Sequence, residues 1–282
     1  MKLFGSALAG RLALTTLFAS LSMGHSALAI TDAQEIAMGR KMAQEAVMFR
    51  APELSPDAPA SIRVQRIGAR FARLSARRNI PYTYKVLNDR KTLNAFAAPG
   101  GPIFITLKLV NFARNDAELA SILGHETAHI DQKHLSKRLD KYQRAQHSAA
   151  LLSKKLLGSS GARKHEDFWR GLTTVGFALT ELAYSRENES EADKLSARWM
   201  SKLGYDPRAT VNIFTRMRER EKNSVSDLQR YFSTHPPMAD RVKLLQTMIE
   251  AEGLLKIAAS AGGPRLNDIT LQPLEKMKAG AR

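Results

Sequence analysis

The chain has 282 residues, 44% hydrophobic and 25% charged, with 43 Lys and Arg against 27 Asp and Glu and no cysteine. Such a composition suits a globular protein with its own core, and it excludes disulfides, thiolate metal ligands and lipid attachment through an N-terminal cysteine. The net charge of +16 favours anionic surfaces, but nucleic acid is not an expected partner, because the basic residues form no aromatic-interleaved motif of the kind that binds single strands.

The first 29 residues stand apart. Lys2 and Arg11 precede an apolar run from Leu12 to Met23, too short to span a bilayer comfortably, and Ala27-Leu28-Ala29 presents the small-residue pattern of a signal-peptidase site. Residues 1–29 therefore read as a cleaved secretory signal of bacterial style, with a mature periplasmic protein starting near Ile30; an uncleaved anchor is the alternative. Without Lys2 and Arg11 the mature chain keeps 41 basic and 27 acidic side chains, a balance of +14. Weak contact with an anionic membrane surface is one expectation from that charge, a solvated basic face around residues 133–144 the plainer one.

In chain order, Thr31 to Met48 has helical spacing, with Ile36, Ala37, Met38, Met42 and Val47 on an apolar face. Pro52, Pro56 and Pro59 mark the following stretch as a loop. Ile62 to Arg77 returns to helix, with Ile62, Ile67, Phe71 and Leu74 inward and arginines outward. Pro81 to Leu87 alternates like a strand, Leu93 to Ala97 reads as a second, and Ile103 to Leu107 as a third after the Pro99-Gly100-Gly101-Pro102 turn. These segments predict a small antiparallel sheet, whose edge can hydrogen-bond an extended peptide or simply pack on the next helix.

That helix carries Leu123-Gly124-His125-Glu126-Thr127-Ala128-His129-Ile130, an H-E-x-x-H motif in an apolar segment opened by an Asn115/Glu118 capping pair. His125 and His129 lie one turn apart on one face, so both imidazoles can reach one ion. Glu126 is rotated about 100° from His125, beside the ion, where a carboxylate can take a proton from water. The plain alternative is two surface histidines. His134, five residues past His129, points off the shared face and is expected at the surface.

Residues 150–165, centred on Gly158-Ser159-Ser160-Gly161, read as a mobile loop. Phe168 to Leu203 predicts one or two long helices with Leu172, Val175, Leu179, Leu182, Leu195 and Trp199 inward, stopped at Gly204. Asp206-Pro207 opens the next helix, which buries Val211, Ile213, Phe214 and Met217, and a last helix spans Met238 to about Glu252. The tail, 253–282, shows little periodicity and is expected to be partly disordered.

A catalytic zinc takes three protein ligands and keeps one open position. No histidine follows the motif at the metzincin spacing, so a carboxylate is the better third ligand. Glu189 and Asp193, four apart, share a helical face: Glu189 can bind the metal while Asp193 holds a ligand histidine through its free N–H. An acidic, solvated helix start is the other reading of that segment.

Taken together, His125-Glu126-Thr127-Ala128-His129, Ser185-Arg186-x-x-Glu189-x-x-Ala192-Asp193, Asn94-Ala95-Phe96-Ala97, Tyr205-Asp206-Pro207 and Ser233-Thr234-His235-Pro236-Pro237 resemble the zinc metallopeptidase family that includes the HtpX heat-shock proteases and the CAAX prenyl proteases. The likeness covers about 94–242 and is nearest in style to the soluble periplasmic branch typified by the β-barrel assembly-enhancing protease. It departs from that branch after residue 252, where too few residues follow for a helical-repeat domain.

The resemblance implies an α+β, mainly α-helical zincin-like fold over 30–252, one Zn²⁺ at His125, His129 and Glu189, and Glu126 as general base. It also points to His235 and Arg241 as active-site neighbours. Either can aim a donor at a developing oxyanion, and His235 can instead cap the metal's open position. The plain alternatives are a loop residue for His235 and a helix-surface charge for Arg241. The function expected is a zinc endopeptidase cutting unfolded or misassembled envelope proteins, with outer-membrane assembly machinery as a partner. Its alternative is a periplasmic chaperone-like client-binding protein with latent proteolysis.

Overall fold

The computed structural model describes residues 30–49, 51–141, 144–145, 148, 184–223, 231, 233–235 and 239–261. The signal segment, the 150–165 loop, the first half of the predicted Phe168–Leu203 helix and residues 262–282 lie outside the described residues.

Helix α1 (Asp32–Phe49) leads to α2 (Pro59–Ala72), then strands β1 (Thr83–Leu87), β2 (Ala95–Ala97) and β3 (Pro102–Thr106), then α3 (Leu107–Phe112) and α4 (Asp116–Asp131), the H-E-x-x-H helix. After the undescribed stretch come α5 (Arg186–Lys202), α6 (Arg208–Asn223), α7 (Ala239–Ala251) and α8 (Leu254–Ser260). The fold is α+β and mainly helical, as expected. Helix α8 stands where an aperiodic tail was expected; Leu254 and Ala258 are its buried residues, one helical turn apart, and so short a stripe is hard to see in a sequence.

The sheet is mixed, not purely antiparallel. Its order is β1-β3-β2, with β1 parallel to β3 and β2 antiparallel to it. The Pro99–Pro102 turn folds β2 back on β3 as a hairpin, and β3 then enters beside β1 rather than outside β2. Gly100 makes the turn with φ of +70°, and a Cβ there would lie 2.4 Å from the Ile36 Cα, so α1 is seated directly on the hairpin. Strand β2 is a sheet edge. Ala98 N–H donates to Pro102 O and Thr106 N–H to Asn94 O, so by alternation the backbone groups of Ala95 and Ala97 point away from β3.

Two apolar faces differ from expectation. In α2 the buried line is Val64, Ile67 and Phe71, whereas Ile62 is 53% exposed: five residues from Ile67, it cannot share that face. In α1 the buried positions among the described side chains are Glu35, Gly39 and Met42, with Ala37 exposed; the side chain of Val47 lies outside the described ones. Glu35 tolerates burial because Arg77 donates to it at 2.5 Å, and Arg77 also donates to Ile130 O at the end of α4.

Helix α4 runs through the centre, buried at every position from Ala117 to Ile130. Asn115 Oδ1 accepts from Glu118 N–H at 2.9 Å, while Glu118 Oε2 accepts from Arg114 N–H at 2.7 Å, one residue earlier than a capping box requires. The Glu118 carboxylate is 3% exposed and compensated by Arg216 of α6, with Nη2 2.8 Å from Oε2. Arg216→Leu should therefore cost about 3–5 kcal/mol, since it strands a buried charge, whereas Glu118→Leu with Arg216→Leu should recover most of the loss. Denaturant midpoints of the two variants check this; equal destabilisation would mean the pair contributes little.

Candidate metal centre

Three segments meet at one buried point. His125 comes from the middle of α4 and His129 from its last turn, and Glu189 from the first turn of α5, where Ser185 and Asn188 form a capping box that fixes the helix start. His235 comes from the segment before α7 and is fully buried; its N–H donates to Tyr231 O at 2.9 Å. One ligand atom from each of His125, His129, Glu189 and His235 lies within 4.8 Å of all the others. The Nε2 atoms of His125 and His129 are 2.9 Å apart, and Glu189 reaches them at 3.5 Å and 3.3 Å.

The far sides of the two motif rings are held as well. His125 Nδ1 is 2.9 Å from Asp193 Oδ1, the partner the spacing predicted. Arg241 donates to Asp193 through Nε and Nη2, both at 2.7 Å, and its Nη1 is 2.6 Å from Glu189 Oε2. Arg241 is thus buried over the Phe214 ring, 4.7 Å from its centroid, and is no surface charge. Its Nε, Nη2 and Nη1 atoms all face carboxylate oxygens, so it is placed to orient Asp193 and Glu189.

His134 corrects the sequence reading outright. It is 2% exposed, with Nδ1 2.8 Å from His129 Nδ1 and Nε2 3.1 Å from Glu191 Oε2. Lys133 explains the error: its φ of +57° turns the chain through a left-handed residue, so the helical projection from His129 does not continue. Sequence reasoning also missed Tyr184, whose ring stacks on His129 with centroids 3.7 Å apart. The one available signal was the pair Leu135 and Leu139, buried one turn apart, which marks a new helix starting at residue 134.

Burial and charge act together here. Burial opposes charge on His125, but Glu189 and Asp193 outweigh it and push the imidazole up to about 9. Burial, helped by His125, holds His129 well below its ordinary value. Against the cost of burial, His235 and Arg241 hold Glu189 well below the usual carboxylate range, and Arg241 likewise lowers Asp193. Glu126 moves the other way, raised chiefly by burial. Both its oxygens are buried without a hydrogen-bond partner, as is Oε2 of Glu189.

These orphaned groups are the test of metal fit, and the site passes it. With Nδ1 of each motif histidine committed outward, two Nε2 lone pairs face each other at 2.9 Å, an arrangement that repels unless a cation or a proton lies between. Nitrogen and carboxylate donors without thiolate are the ligand types zinc takes.

An apolar helix presenting two imidazoles, a carboxylate from a second helix and a free carboxylate beside them define the metallopeptidase class of site. The chain belongs to peptidase family M48, whose family model matches residues 60–249. Over 176 residues it is 31% identical to a putative beta-barrel assembly-enhancing protease of Vibrio cholerae, covering 62% of this chain and 34% of that protein. It is 28% identical over 188 residues to the mitochondrial metalloendopeptidase OMA1 of Schizosaccharomyces pombe, covering 67% and 52%. With the beta-barrel assembly-enhancing protease of Yersinia pestis it shares 28% identity over 213 residues, covering 73% and 40%. The chain thus spans between a third and about half of the length of these relatives.

Removing Arg241 should expose the charge problem it solves. Arg241→Leu leaves Asp193 and Glu189 as neighbouring buried carboxylates and should lower the stability of the metal-free protein by about 3–5 kcal/mol. Added Zn²⁺ should return part of that loss, because a bound cation takes over the compensation; melting curves with and without zinc decide it.

Proposed function

We propose that this chain is a zinc-dependent endopeptidase acting on unfolded or misassembled proteins of the bacterial envelope. The observation that carries the proposal is the convergence of His125, His129 and Glu189 donors beside the unpartnered carboxylate of Glu126. Zinc held by those three residues would act as a Lewis acid, lowering the pKa of a water and polarising a peptide carbonyl.

The rest is the work of the chain's own groups. Glu126, raised by burial, accepts the proton of the attacking water and returns it to the leaving amine, as a carboxyl tuned toward neutral pH does well. His235, with Nε2 3.5 Å from Glu126 Oε1, stands nearest as a donor for the oxyanion. The β2 edge, which the sequence offers for pairing with an extended peptide, is buried at Ala95, Phe96 and Ala97 in this structure. Asp193 and Arg241 hold the ligands in place.

The address belongs to this proposal too. Residues 1–29 are read as a cleaved signal and 30–252 as the peptidase domain, in the periplasm; no helix among the described residues is long and apolar enough to cross a membrane. Relatives named for β-barrel assembly motivate outer-membrane assembly intermediates as substrates.

Purified protein should carry about one zinc per chain and cleave casein, and a chelator should stop it. Glu126→Gln should retain zinc and lose cleavage, because only the proton acceptor is gone; full activity in that variant would remove the proposed base.

One observation favours a second reading, a client-holding protein with latent proteolysis: His235 Nδ1 lies 2.9 Å from Glu189 Oε1 and 3.4 Å from His125 Nε2, at the fourth corner of the cluster. His235→Ala separates the two. A drop in kcat of about 10²–10³ fits an oxyanion donor, and a rise fits a plug over the open position.

A further inference from the structure

His129 is anchored differently from its twin. His125 leans on a carboxylate, Asp193, in the manner usual for metal-binding histidines. His129 has no carboxylate behind it; its Nδ1 faces another imidazole nitrogen, His134 Nδ1, at 2.8 Å. Two ring nitrogens at that distance need one proton between them, and the surroundings decide whose it is. Nε2 of His129 faces His125 Nε2 and Glu189 Oε1 inside the cluster, so for it to offer a lone pair there its proton must sit on Nδ1. His134 Nδ1 is then the acceptor, and its own proton sits on Nε2, which points at Glu191 Oε2 at 3.1 Å. Only this direction leaves every atom in the line satisfied.

We propose that His134 and Glu191 position His129 as a metal ligand, through a one-way hydrogen-bond chain that runs from His129 Nδ1–H to His134 Nδ1 and from His134 Nε2–H to the Glu191 carboxylate. The inference rests on the zinc reading given above. Three features of the fold build the chain. Lys133 takes φ of +57°, a conformation costing a residue with a side chain about 1–2 kcal/mol, and the turn it makes brings His134 back beneath His129. The Tyr184 ring, stacked on His129 and 6.2 Å centroid to centroid from His134, walls in the contact. Glu191 comes from α5, the helix that supplies Glu189 and Asp193, so one helix delivers a ligand and the terminal acceptors behind both motif histidines. The line ends at the surface, where the Glu191 side chain is 53% exposed.

Zinc affinity of the full purified chain, measured by competition with a chromogenic chelator, tests this. His134→Ala should weaken zinc binding by about 10–100-fold, the usual cost of losing such a partner. His134→Asn should restore most of it, because the Asn Oδ1 stands near the place of Nδ1 and accepts from His129. Glu191→Ala should weaken binding in the same direction but by less. A His134→Ala protein with wild-type affinity overturns the proposal, and so do Ala and Asn variants that fall alike, since loss of packing would then account for both. Should His134→Ala fail to fold, as judged by its circular dichroism, Glu191→Ala decides, and unchanged affinity there is a refutation. A wild type that takes up no zinc overturns the zinc reading itself; a wild type that binds zinc no better than its variants overturns this inference alone.

Discussion

Polar groups aimed inward at the middle of a hydrophobic helix are the constraint on which the rest of this structure depends. Helix α4 is buried along nearly its whole length, yet it carries two imidazoles and a carboxylate that no neighbouring apolar side chain can satisfy. Burying such groups unpaired is expensive. The surrounding elements are arranged to reduce that cost: Asp193 behind His125, His134 behind His129, Arg241 across Asp193 and Glu189. What they leave unsatisfied is the inner face, and there the orphaned Glu126 oxygens and the facing Nε2 atoms lie.

The scaffold serves that arrangement by fixing angles. Helix α5 is stopped cleanly at both ends, by the Ser185 capping box and by Gly204, where Tyr205 N–H reaches Met200 O and Gly204 N–H reaches Ser201 O. A helix so bounded presents Glu189, Glu191 and Asp193 at set heights against α4. Close approach of the two helices relies on Gly124, where a Cβ would lie 2.6 Å from Ser196 Oγ and 2.7 Å from Phe71 Cε1.

The chain belongs to peptidase family M48, and it spans only part of the length of the relatives it matches. Asp193, Arg241 and His134 each contact a residue of the buried cluster, and each is itself buried.

Much of this was legible in the residues alone, because short-range periodicity and spacing encode it. H-E-x-x-H on an apolar stripe puts both imidazoles on one side of a helix, and Glu189 four before Asp193 puts two carboxylates on one face; the three strands also fall where alternation placed them, whereas α3 and α8 were not expected. Other features depend on contacts between distant segments, which spacing does not carry. The parallel pairing of β1 with β3, the burial of Glu35 against Arg77, the commitment of Arg241 to two carboxylates and the return of His134 beneath His129 each needed the folded chain. The last turns on a single dihedral at Lys133: a left-handed residue breaks the helical projection, and no local preference of lysine announces it. The sequence by itself determined which residues offer donors of the kind a metal takes; tertiary structure decided what stands behind them, because Asp193, Arg241 and His134 are brought there by segments far apart in the chain.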